Sequence, residues 1–249
     1  MKRLMVSLLV IMTVLTGCGK NIKNEVINIG INQLVEFEAL DRCREGFIQA
    51  LEENGYIDGE NIKIDYQNAQ GDMNIAQTIS KKFASEKKDL IFAIATPSAQ
   101  ASYNATKDIP ILISAVTDPV KAGIVKSMDK PGTNVSGTSD YLPVEKQLDL
   151  MKRLVPNAKR IGVLFNTSEV NSEVQIDELK KAAKEYEIVT LGITSTNEVN
   201  NAINSLVKKI DVLFVPTDNL VVSSMPIIVR STLQAKIPII ASEQGSVES

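Results

Sequence analysis

Histidine and tryptophan are absent from the 249 residues, cysteine occurs twice, and aromatic residues make up 4%. Without histidine there is no Ser-His-Asp triad, most zinc sites are excluded, and the commonest general base is missing. Without tryptophan, sugar binding by aromatic stacking is disfavoured, although Phe37, Tyr103 and Tyr141 remain. Cys18 and Cys43 give no disulfide framework and no cysteine pair for metal or redox work. Neither G-x-x-x-x-G-K-[ST] nor G-x-G-x-x-G occurs, so those two nucleotide loops are excluded. Basic excess is lacking too: 27 Lys and Arg stand against 30 Asp and Glu. With no clustered basic stripe, nothing drives binding to a phosphate backbone, and nucleic acid is not an expected partner. Only carboxylates such as Asp118, Asp140 and Asp218 remain for acid-base work, so the expectation is a non-enzyme with no cofactor and no metal.

What the chain does have is 44% hydrophobic residues with 23% charged, an ordinary soluble composition able to bury a core. The stretch from Leu4 to Leu15 is apolar, follows Lys2 and Arg3, and is too short to span a bilayer. It reads as a secretory signal over residues 1–17. Its end, Leu15-Thr16-Gly17-Cys18, resembles the lipobox of bacterial lipoproteins, in which the cysteine is lipidated and becomes the first mature residue. Several acyl chains, at roughly 0.8 kcal/mol per buried methylene, would anchor residues 18–25 and all that follows to the outside of the cell membrane.

From residue 26 onward, strand-like and helix-like segments alternate with few long loops, the α/β signature. Strands are predicted at Val26–Ile31, Ile62–Tyr66, Leu90–Ala95 and Ile111–Val116, with helices at Leu40–Asn54, Met73–Glu86 and Pro97–Lys107 between them. Leu40, Cys43, Phe47, Ala50 and Leu51 form a stripe at helical spacing and read as packing. "KPGTNVSG", Lys130 to Gly137, is the densest punctuation in the chain, so one lobe is assigned to residues 26–134 and a second to 135–243. The second series runs helix Val144–Leu154, strand Arg160–Phe165, helix Ser172–Tyr186, strand Ile188–Ile193, helix Val199–Lys208, strand Val212–Val215, helix Val221–Lys236 and strand Ile239–Ala241. Two such lobes in tandem imply a cleft.

Polar knots follow five predicted strands: Thr96-Pro97-Ser98, Thr117-Asp118, Ser139-Asp140, Asn166-Thr167-Ser168 and Thr217-Asp218-Asn219. In open α/β sheets ligands bind at such strand ends, where helix N-termini present unpaired N–H groups. Each knot taken singly also reads as an N-cap or turn. Facing one another, they suit a small zwitterion, with N–H groups and hydroxyls on a carboxylate and an Asp on an ammonium.

"LDRCREGFIQALEENGY", "IDYQNAQGDM", "DLIFAIATPSAQAS", "IPILISAVTDPVKAGIVKS", "NVSGTSD" and "VPTDN", in this order, resemble the ABC-transporter substrate-binding protein family of the tryptophan/tyrosine-binding type across residues 26–243. The resemblance implies a periplasmic-binding-protein-like α/β fold: two Rossmann-like lobes with parallel sheets, joined by a hinge. It also implies delivery of a captured amino acid to an ABC permease. Carried over residue by residue, the first wall of the cleft is Thr96, Ser98, Ala99, Gln100, Thr117 and Asp118. The second wall is Asp140, Asn166, Glu169, Asn171, Asp218 and Asn219. Within these walls, Ser98 and its neighbouring N–H groups are expected on the ligand carboxylate, and Asp218 or Asp140 on its ammonium. Two departures stand out. Phe37-Glu38 occupies a lip where family members often have His-Pro, which bears on ligand identity. The family also continues beyond Ser249, so residues 244–249 are expected to begin a return to the first lobe, in a longer protein of about 320 to 330 residues. An alternative keeps the fold and presents the closed form to a membrane kinase or chemoreceptor in place of a permease.

Overall fold

The computed structural model describes residues 26–243; the signal segment, Cys18 and residues 244–249 fall outside them. The first sheet contains five strands: β1 (Ile27–Gln33), β2 (Ile62–Asn68), β3 (Leu90–Ile94), β4 (Ile111–Val116) and β5 (Val135–Ser139), in the order β2-β1-β3-β4-β5. The second contains β6 (Arg160–Asn166), β7 (Glu187–Ile193), β8 (Val212–Val215) and β9 (Ile239–Ala241), in the order β7-β6-β8-β9. Every named strand pair is parallel. Continuous β-branched runs such as Ile91-Phe92-Ala93-Ile94 and Val212-Leu213-Phe214-Val215 are buried on both faces, as parallel strands covered by helices require.

In the first lobe the helices are α1 (Glu38–Glu53), α2 (Met73–Ser85) and α3 (Thr96–Ala105). Asp72 caps α2, accepting from the N–H groups of Asn74 and Ile75 at 2.6 and 3.3 Å. Gly30 lets α2 approach β1, because a Cβ there would lie 2.6 Å from the Phe83 ring. In the second lobe they are α4 (Val144–Leu154), α5 (Val170–Ala182), α6 (Thr196–Leu206), α7 (Asn219–Ser223) and α8 (Met225–Ala235). The two lobes share a device at the base of each sheet. Asp89, before β3, accepts from the Asn28 N–H at 2.7 Å. Asp211, before β8, accepts from the N–H groups of Lys159 and Arg160, both at 2.9 Å.

Two expectations change. Val135–Ser139, assigned from sequence to the second lobe, is the edge strand of the first sheet. Its composition hides it: Gly137 has φ 147°, and a Cβ there would meet the Ile113 carbonyl at 2.1 Å, so only glycine lets this strand lie against β4. The passage between sheets therefore lies between Ser139 and Val144. The single helix expected over Val221–Lys236 is two, broken at Ser224, because Pro226 has no N–H to donate and its ring obstructs a continuing helix.

Candidate functional site

A cavity of about 270 Å³ lies between the lobes, bounded by the carboxyl ends of the strands. Its apolar side comes from the start of α1, with Phe37, Ala39, Leu40 and Cys43, and from Val222 on α7. The remaining first-lobe wall is Ser114, Ala115 and Thr117 at the end of β4, and Thr138, Ser139 and Asp140 at and after β5. Asn171, Thr217, Asp218, Asn219 and Glu243 complete it. Ala115 adopts φ 54°, a left-handed conformation that strains a residue bearing a Cβ, where the β4–β5 register slips between Ile113 and Val116. The lobes touch directly through a 2.9 Å hydrogen bond between the hydroxyls of Thr117 and Thr217.

Behind Thr217 lies a network of two buried carboxylates held by neutral donors. Asp218 is fully buried. Its Oδ2 accepts from the Asn166 N–H and the Ser172 hydroxyl, both at 2.6 Å, and its Oδ1 from the Val221 N–H at 2.9 Å. Glu169, 2% exposed, accepts from the side-chain amides of Asn166 (3.2 Å), Asn171 (2.9 Å) and Asn219 (2.6 Å). It also accepts from the backbone N–H groups of Asn219 (3.0 Å) and Leu220 (3.2 Å). Burial, followed by the charge of Glu169, pushes the Asp218 carboxyl up to about 7, against the opposing pull of its hydrogen bonds from Ser172, Asn166 and Val221. The loop between β6 and α5 and the loop between β8 and α7 are thereby tied into one wall.

Asp140 stands differently. By area it is exposed, yet enough protein surrounds its carboxyl that burial raises its pKa; the neighbouring Glu243 adds to the rise and a hydrogen bond from Thr117 opposes it. Among the described residues that line the cavity there is no Lys or Arg.

Of the sequence-derived site residues, Thr117, Asp140, Asn171, Asp218 and Asn219 line this cavity. Asn166 and Glu169 line a second, more polar inter-lobe cavity of about 370 Å³ on the far side of Asn219. Thr96, Ser98, Ala99, Gln100 and Asp118 line neither. The Ser98 hydroxyl, expected on a ligand carboxylate, donates to Asn32 Oδ1 at 3.3 Å. Ala99 is core, and Gln100 Nε2 donates to the Ala122 carbonyl at 3.0 Å. Asp118 caps its own turn, accepting from the N–H groups of Val120 and Lys121 at 3.1 and 2.9 Å. Thr96 is buried, and its hydroxyl has no hydrogen-bond partner among the described residues. Asp218, assigned to an ammonium, already has both oxygens occupied by protein donors. Sequence reasoning set Thr217 in a strand-end knot and Phe37 at a lip without carrying either into the walls of the cleft, and it missed Ser114, Ala115, Val222 and Glu243. Leu40 and Cys43 were read as packing; the signal was present in a stripe that runs past the core to the helix's N-terminal turn.

Two parallel α/β lobes with a strand-end cleft define a periplasmic-binding-protein fold. The model of the ABC transporter substrate binding protein family matches residues 28–249, and the chain belongs to that family, one of binding proteins and not of enzymes. It is 61% identical to the tyrosine-binding protein of Clostridioides difficile, over 95% of this chain and 73% of that one. Among solved structures it is similar to a Streptococcus pneumoniae ABC domain in complex with L-Trp: TM-score 0.86, 39% identity, 90% of this chain and 76% of that one. A ligand-free, open substrate-binding protein with adhesive properties from Clostridium difficile is 64% identical over 90% of this chain and 77% of that one, yet superposes with a TM-score of 0.62. The lobe arrangement thus lies nearer to the tryptophan-bound structure than to the more similar open one.

Proposed function

We propose that this protein is the extracytoplasmic solute-binding component of an ABC importer, tethered through a lipidated Cys18, and that it binds an aromatic amino acid in the inter-lobe cavity. The carrying observation is the two-sided cavity. Phe37, Leu40 and Val222 offer an apolar wall for a ring, and Asp140, backed by Glu243, offers an acidic edge for an ammonium. With no Lys or Arg among the described residues that line the site, the carboxylate of the ligand would fall to neutral donors, the hydroxyls of Ser114, Thr117 and Thr138. The permease is implied by the family, and the aromatic ligand is supported by the relatives that bind tyrosine and tryptophan.

Titration calorimetry of the intact protein with L-tyrosine, L-tryptophan and the ring-bearing acid that lacks the amino group, 3-(4-hydroxyphenyl)propionate, tests this reading. Micromolar capture, about −8 kcal/mol, is expected for the amino acids and not for the deaminated acid. Asp140→Asn should weaken amino-acid binding by about 2 kcal/mol or more, since the ammonium loses a charge-assisted partner. Equal binding of amino acid and deaminated acid, or an unaffected Asp140→Asn variant, would remove Asp140 from the site.

A further inference from the structure

Phe37 is the one side chain among the described residues that packs against apolar clusters of both lobes, joining the first-lobe core and the second-lobe group that contains Val221, Val222 and Leu220. It also lines the cleft cavity. The loop that carries it is tied down from below. Gln33, fully buried, donates from Nε2 to the Val35 carbonyl and to Asp41 Oδ1, both at 2.9 Å, and accepts from Arg44 Nη1 at 3.0 Å. Arg44 Nη1 also reaches Asp41 Oδ1 and the Tyr66 hydroxyl, both at 2.9 Å. Its guanidinium lies 4.7 Å from the centre of the Tyr66 ring, and the Tyr66 hydroxyl donates to Glu36 Oε1 at 3.0 Å. The two residues that precede Phe37 are therefore both bound, one through Gln33 and one through Tyr66, to a single guanidinium.

We infer that Phe37 is the apolar latch holding the two lobes together over a bound ligand, and that Arg44 is a positioning residue that presets the latch. The inference rests on the solute-binding reading only for the ligand; the inter-lobe contact stands without it. Apolar contact between the lobes exists only once they have met, so a latch slows their parting and leaves encounter with the ligand nearly unchanged. Among the described residues, the side-chain partners of Arg44 all belong to the first lobe and Arg44 is not itself part of the cavity lining, so its effect on ligand release is expected to pass through the loop that carries Phe37.

Stopped-flow kinetics with L-tyrosine and L-tryptophan, together with small-angle scattering of the ligand-free protein, test both parts. Phe37→Ala should raise koff by about 10- to 100-fold and change kon by less than about threefold, while Phe37→Leu, which keeps apolar volume, should recover most of the loss. Arg44→Met should raise koff by about three- to tenfold in the wild-type background and add nothing in the Phe37→Ala background, because the two act through one contact. Equal effects of Arg44→Met in both backgrounds would overturn its positioning role. An unchanged koff in Phe37→Ala would overturn the latch. If wild-type protein takes up neither amino acid, the ligand reading fails and the scattering decides: a larger radius of gyration for ligand-free Phe37→Ala than for wild type upholds the latch, and identical radii overturn it.

Discussion

Asp218→Ala separates a wall-building carboxylate from a ligand-binding one. The substitution removes a fully buried group that accepts three hydrogen bonds and leaves the N–H groups of Asn166 and Val221 and the Ser172 hydroxyl without their partner. A buried donor left unsatisfied costs about 1–3 kcal/mol, so three give about 3–9 kcal/mol before relaxation. Two effects reduce this. The vacated space admits a water that can serve some of the donors, and loss of the charge relieves repulsion with Glu169. Burial and the charge of Glu169 both raise the Asp218 carboxyl, so its removal also lifts an unfavourable contribution that offsets part of the loss. A net loss of about 2–4 kcal/mol near pH 7 is expected. For a chain of this size each kcal/mol moves Tm by about 2–4 °C, so calorimetry should show a fall of about 4–16 °C. Affinity for L-tyrosine, measured well below the transition, should change less than about threefold, since the ammonium partner assigned here is Asp140. A variant that melts with wild-type Tm but has lost ligand would refute the reasoning and put Asp218 in contact with the ligand.

The same carboxyl predicts a pH dependence. Because its folded pKa lies above its unfolded value, the folded state holds the proton to higher pH. The unfavourable contribution is absent below about pH 3.8, grows up to about pH 7 and is complete above it, with a slope of at most about 1.4 kcal/mol per pH unit that Asp218→Asn should flatten in Tm-against-pH scans. Gly137→Ala should cost about 3 kcal/mol or more, because its Cβ would sit 2.1 Å from the Ile113 carbonyl at a φ of 147°; a denaturation midpoint within 1 kcal/mol of wild type would show that β5 shifts freely.

The strands of both sheets were legible because burial on both faces leaves an unbroken β-branched run, and eight of the nine strands carry such a run or an apolar alternation. The exception, β5, is written in Ser, Gly and Thr: its solvent side is exposed, and its inner side meets β4 so closely that glycine is needed. Composition alone cannot tell that from a loop. At the site, the identity of the knots was legible and their direction was not. Asp218 reads the same whether it faces a ligand or the Asn166 N–H, 52 residues earlier in the chain, and only the pairing of β6 with β8 settles which. The partners of Ser98 and Gln100 were hidden for the same reason: each lies far away in the chain, Asn32 and Ala122 respectively.

The position of Asp140 on the short stretch between β5 and α4 has a kinetic consequence. A residue on a hinge stays beside both rigid bodies at every opening angle, whereas Phe37 and Val222 approach each other only as the angle closes. If Asp140 takes the ligand ammonium as proposed, the ammonium meets its acid before the walls meet around the ring. Charge would then govern the encounter and apolar contact the dwell time, two separately adjustable rates, the first sensitive to salt and the second nearly indifferent to it.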